Sequence, residues 1–158
     1  MVALRPSPWR YVMSMFSFFK SSRPRLEWIG EVHDGLFTRR EIQFNADKKE
    51  VRVTIYRPEG GWRQRRGKSR HDVRWEGLVV LVRGAEAVDL AASEEHDHYE
   101  LATIRIDPGQ VHFVTHYALE FSVWCSDPQV SLLPERVSSR TWQEIVGSKR
   151  VTSEKQGK

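Results

Sequence analysis

From Trp28 onward, apolar and polar positions alternate with a period of two in one segment after another. In "EVRVTIYR", Val51, Val53 and Ile55 alternate with Arg52, Thr54 and Tyr56, the pattern of a strand with one buried face. "LFTRREIQF" precedes it across "NADKK", whose turn-forming residues predict a β-hairpin over 36–57. "VRWEGLVVLVR" at 73–83 predicts a long strand, and its apolar run at 78–82 predicts burial on both faces there. "AEAVDL" reads as a further short strand after Gly84. "YELATIRID", "QVHFVTH" and "LEFSVWC" follow as strands, with a tight turn at Pro108-Gly109 and a bend near Tyr117 and Ala118. "DPQVSLL" adds a final edge strand. By parity Leu119, Phe121, Val123 and Cys125 share one face, so Cys125 reads as a core residue and not as a nucleophile. One helix stands out at 138–146, "SSRTWQEIV". It holds Trp142 and Ile145 at i, i+3; Thr141 and Glu144 fit a capping box, with Ser138 or Ser139 as other possible caps, and Gly147 ends it. The expected fold is mainly β: an antiparallel sheet or sandwich of about six to eight strands with one short C-terminal helix.

The 158 residues suit a single domain, placed at 27–146. Residues 1–26 read as a basic, flexible leader and 147–158 as a disordered tail. Apolar residues make up 39% and aromatic residues 11% of the chain, which argues against general disorder. The leader's apolar run at 11–19 is flanked by basic residues. It fits a loose leader, a surface anchor or a targeting peptide, and Met13 and Met15 offer alternative starts. No apolar stretch approaches the roughly 20 residues of a membrane span. The single cysteine excludes an internal disulfide, and the chain is read as cytoplasmic.

The net charge of +4 changes meaning once it is divided along the chain. Residues 1–26 carry +5, residues 63–70 carry +5 and residues 146–158 carry +3, which leaves −9 for everything else. Positive charge sits on appendages and the body is acidic. An acidic body repels phosphate and favours basic partners.

Two segments carry candidate sites. "GGWRQRRGKSRHD" offers Trp62 beside Arg63, Arg65, Arg66, Lys68 and Arg70: cations for phosphates and a ring for a base. The bland reading is a solvated connection between strands. "EEHDHYE" offers Glu94, Glu95, Asp97 and Glu100 as contacts for a basic protein. If extended, it would also set His96, His98 and Glu100 on one side, as in a metal triad. His112 and His116, four apart on a strand, stand about 13 Å from one another and cannot share an ion without a bend. His33-Asp34 reads as a turn before the first strand, with Asp34 accepting backbone N–H groups. No metal site and no cofactor is expected. Nucleophile-elbow, P-loop and dinucleotide fingerprints are missing, which leaves a hydrolase with an unrecognised spatial site as a distant alternative.

The succession "WIGEVHDGLFTRREIQFNADKKEVRVTIY", "WEGLVVLVRGAEAVDL", "ELATIRI" and "VHFVTHYALEFSVWCSDPQVSL" resembles a group of small bacterial β-domain proteins. Their sequences open on a His-Asp, continue as a hairpin and end on a strand with a Cys; some are classed as immunity proteins of polymorphic toxin systems. His33-Asp34 and Cys125 carry the resemblance. Ala118 stands where the pattern has Gly, and the 58–72 loop is long. The resemblance implies a protein without chemistry of its own that occludes a basic toxin, agreeing with the acidic body. The reading is therefore a non-enzymatic protein-binding domain, with a nucleic-acid or anionic-surface binder through 62–71 as the alternative.

Overall fold

The period-two pattern becomes seven strands. These are β1 (Leu36–Phe37), β2 (Ile42–Asn45), β3 (Glu50–Pro58), β4 (Trp75–Ala92), β5 (Tyr99–Asp107), β6 (Gln110–Thr115) and β7 (Leu119–Arg140). Among the described residues two short helices, α1 (Ile29–Val32) and α2 (Trp142–Val146), flank them. The computed structural model describes residues 26–92, 96–117 and 119–147; the leader through residue 25, Glu94 and Glu95, Ala118 and the tail from 148 lie outside the described residues.

The fold is mainly β, and every strand pairing is antiparallel. The order is β1-β5-β6-β7-β4-β3-β2, and β1 also pairs with β3. Leu36 faces Glu100 on one side and Tyr56 on the other, so this two-residue strand closes the sheet on itself. Inside lie Val51, Val53, Ile55, Leu78, Val80, Val82, Leu101, Val111, Phe113, Phe121 and Val123, all at most 1% exposed. Phe113 and Phe121 stack there with ring centroids 4.3 Å apart. Cys125 joins this core, and burial, followed by the Glu86 charge, pushes its thiol up.

Three expectations change in detail. "LFTRREIQF" is not one strand: a 3-10 turn at Arg39–Glu41 divides it. The chain needs that turn to move from the closure, where Leu36 and Phe37 are both buried, to the outer side of β3. "VRWEGLVVLVR" and "AEAVDL" form one strand that bends at Gly84, whose φ is +79°, with register shifts on both sides of it. "DPQVSLL" likewise continues β7. Residues 129–140 of β7 pair with β4 on one side and, among the described residues, with no strand on the other. Pro134 lies within this stretch, and Pro128 immediately precedes it; neither has an N–H to donate.

The C-terminal helix is shorter than 138–146, because Ser138 to Arg140 remain in β7 and Arg140 pairs with Trp75. Its capping box is present: Glu144 N–H donates to Thr141 Oγ1 at 3.2 Å, and Thr141 N–H to Glu144 Oε2 at 2.8 Å. The helix lays Trp142 and Ile145 over the outer side of the sheet. There Leu36, Tyr56, Val73 and Trp75 complete a second buried cluster.

Candidate functional site

The basic loop folds back on that second cluster. A 3-10 turn at Trp62–Arg65 sets the Trp62 ring edge-on to Trp75, with centroids 6.0 Å apart. Arg65 lies over the Trp75 ring at 5.7 Å, and the Trp75 indole N–H donates to the Arg70 carbonyl at 3.1 Å. Arg70 in turn sits over Trp142 at 5.1 Å. Each cation–aromatic contact of this kind contributes about 0.5–1 kcal/mol or more when desolvated. Together they offset part of the entropy of ordering the loop, roughly 1–2 kcal/mol for each residue fixed. Trp62, Arg65 and Arg70 thus face the protein, and the Trp62 indole nitrogen is buried without a hydrogen-bond partner. Arg63, Arg66 and Lys68 remain exposed.

The acidic segment meets the basic one. Glu100 pairs with Arg70 at 3.8 Å, and Arg70 donates to His98 Nε2 at 3.4 Å. The His98 ring packs edge-on against Trp142, with centroids 4.9 Å apart. Burial first, and the Arg70 charge second, hold His98 below the usual histidine range. His96 turns to Tyr99 and Tyr117 instead, so His96, His98 and Glu100 do not converge. Asp97 is exposed and, with Thr38, Arg39, Arg40, His96, Ile145 and Val146, lines a shallow cleft of about 40 Å³. Small-molecule sites usually span roughly 300 Å³ or more.

Another part of the sheet's outer side carries the strongest candidate. The alternation that buries Leu119, Phe121, Val123 and Cys125 turns Glu120, Ser122, Trp124 and Ser126 outward. Trp124 is 46% exposed. Its lateral partners are Ala87 on β4 and Gln110 on β6, and its neighbours along β7 are serines. Short side chains therefore surround a large aromatic one. Asp89 stands opposite Ser122, and Glu120 opposite Ala91. Glu86, which accepts a hydrogen bond from Ser126 Oγ, adds to the acidic rim, as does Asp107. Arg105, also on this face, is tied to Asp107 at 3.0 Å. Parity already held this signal: a tryptophan between core positions of one strand must face the other way.

His112 lies on the same face. Its Nδ1 is 2.8 Å from Ser122 Oγ and its Nε2 3.3 Å from Asp107 Oδ2. The sequence of groups matches a serine–histidine–aspartate relay, but its setting differs. Ser122 belongs to a strand paired on both sides, with His112 and with Asp89, so its backbone is engaged in the sheet and forms no oxyanion hole. The three groups order the face through cross-strand polar contacts. His116 is directed elsewhere, to Asp34, so His112 and His116 do not share a site, as their spacing predicted. No family model, curated protein or solved structure matches the chain.

Proposed function

We propose that this chain is a binding protein that docks a basic protein partner on the Trp124 face, after the manner of an immunity protein occluding a toxin. Exposed Trp124 carries the reading. Tryptophan is among the residues that dominate binding energy when a partner covers them, and short neighbours leave it accessible. The rim of Glu86, Asp89 and Glu120 would steer a cationic surface toward it. The same rim repels phosphate, which disfavours nucleic acid on this face. Of the acidic residues expected as contacts, Asp97 lies in the cleft beside Ile145 and Val146, and Glu100 is engaged by Arg70. No helix among the described residues is long and apolar enough to cross a membrane, and buried Cys125 suits a reducing cytoplasm.

The test is a panel of immobilised Arg- and Lys-rich peptides, with acidic peptides as controls. Trp124→Ala should weaken capture of the basic peptides by about tenfold or more with an unchanged circular dichroism spectrum. Glu120→Lys with Asp89→Lys should mainly slow association. Replacing Arg63, Arg66 and Lys68 with Ala should leave peptide binding intact. Equal binding by the Trp124 variant removes the reading. Salt-sensitive DNA or RNA binding lost in the triple-alanine variant would establish the nucleic-acid alternative instead.

A further inference from the structure

The two halves of β4 have different neighbours. From Trp75 to Arg83 it pairs with β3 on one side and with β7 on the other. The β3 pairing ends where Glu50 meets Arg83, and just beyond it Ala85 N–H donates to the Lys49 carbonyl at 2.9 Å. From Glu86 to Ala91, β4 pairs with β7 alone among the described residues. The direction of its backbone groups follows from β7. Cys125 N–H donates to the Gly109 carbonyl at 2.9 Å, on the β6 side. Along an antiparallel strand these groups alternate between the two sides, so Trp124 and Ser122 turn theirs to β4, where they meet Ala87 and Asp89. Val88 and Leu90 therefore direct their N–H and C=O groups away from β7. Their side chains lie on the core face, opposite Val123 and Phe121. Val88 is partly buried against the core, and Leu90 is 48% exposed.

We propose that the edge Glu86–Ala91 binds an extended basic segment of the partner protein as an added β-strand. The choice of a basic partner rests on the reading of the Trp124 face; the open edge itself does not. Strand addition draws affinity from main-chain hydrogen bonds and selectivity from alternate side chains. On the core face, apolar side chains of the segment cover Leu90 and Val88. On the outer face, its cationic side chains stand beside Asp89 and Glu86. Neighbouring strands lie about 4.8 Å apart. Trp124, on the far side of β4 from the added strand, is then roughly 10 Å from it, close enough for one partner to cover both.

Charge selects this occupant over a second copy of the chain. Sheet edges are ordinarily guarded by lysine, proline or charges turned inward. Residues 86–91 contain no Lys and no Pro, and their core-facing positions are Val88 and Leu90. The charges they do carry, Glu86 and Asp89, are both acidic. If two copies met edge to edge, the antiparallel register that opposes Val88 to Leu90 would also oppose Asp89 to Asp89. Like charges directly opposite destabilise a ladder. A basic segment converts the same carboxylates into attraction.

The probe is a short peptide alternating lysine and valine, used unmodified, N-methylated at every valine, or N-methylated at every lysine. Methylation removes the N–H groups along one margin of the peptide and keeps its side chains and charge. In the free full-length chain, NMR should show rapid exchange of the Val88 and Leu90 amide protons and slow exchange of that of Asp89, which bonds to β7. Saturating unmodified peptide should slow the first two by about tenfold or more. One methylated form should lose binding and the other keep it. Leu90→Pro removes an outward N–H and none of the bonds to β7, so it should weaken capture by about tenfold or more with an unchanged circular dichroism spectrum. Equal binding by the two methylated forms overturns the proposal, even where Trp124→Ala abolishes capture, so the edge and the Trp124 face fail separately. Slow exchange at Val88 and Leu90 before peptide is added also overturns it. The edge is then already covered, by a second copy if exchange quickens on dilution.

Discussion

At His98, burial and a neighbouring guanidinium act in the same direction. Both disfavour the imidazolium and hold the side chain below 6.5. In the unfolded chain His98 protonates first as pH falls through 6.5, so the unfolded state gains protons before the folded one does. Stability contributed here is therefore complete above that value and declines as pH drops from it toward the folded-state value. Urea unfolding at about pH 7.5 and about pH 5.5 should show the decline, and His98→Gln, which keeps an acceptor for Arg70, should flatten it. Glu41 works in the other sense and in a lower window. Burial raises its carboxyl above 4.5 against the pull of Arg140 and Arg40, so the folded state takes up that proton first and gains stability as pH falls toward 4.5. At this scale the sequence was only partly legible. Parity placed Cys125 in the core, but nothing local joined Arg70 to Glu100, or His116 to Asp34 across 82 positions. Those meetings depend on strand order, which no short window contains.

Elements were legible where local chemistry decides them. The capping box at Thr141 and Glu144 is such a case, and it begins the helix three residues later than the serines suggested. Thr141→Ala should lower stability by about 1 kcal/mol in chemical denaturation, while Thr141→Ser should restore most of it. The loss should reach past the helix itself, because Trp142 supports Trp75 at 5.3 Å and carries Arg70. Alternation also located the strands but could not show where they join. Gly84 looked like a boundary between two strands and is a bend within one, since a glycine permits positive φ without ending the pairing on either side. The Arg39–Glu41 turn escaped for the converse reason. Its residues are ordinary strand or helix formers, and the closure of the sheet determines their course.

For the whole molecule the main fact is that β4 and β7 pair from Ala92–Leu119 to Trp75–Arg140. The near end needs a far shorter loop than the distant end, so pairing should begin there and proceed toward Trp75. Stopped-flow chevrons should then give Val123→Ala a φ-value above about 0.5 and Leu132→Ala one below about 0.3. The reverse order would place the nucleus in the aromatic cluster. Sheet order and closure by β1 were not readable beforehand, because a two-residue strand leaves no periodic trace. The two prolines of β7 carry a last consequence. A second chain that tried to add itself there would need amide hydrogens that Pro128 and Pro134 do not possess. This stretch of β7, which pairs with no second strand among the described residues, is thus poorly suited to templating a fibril, and a copy of the chain would find little there to extend.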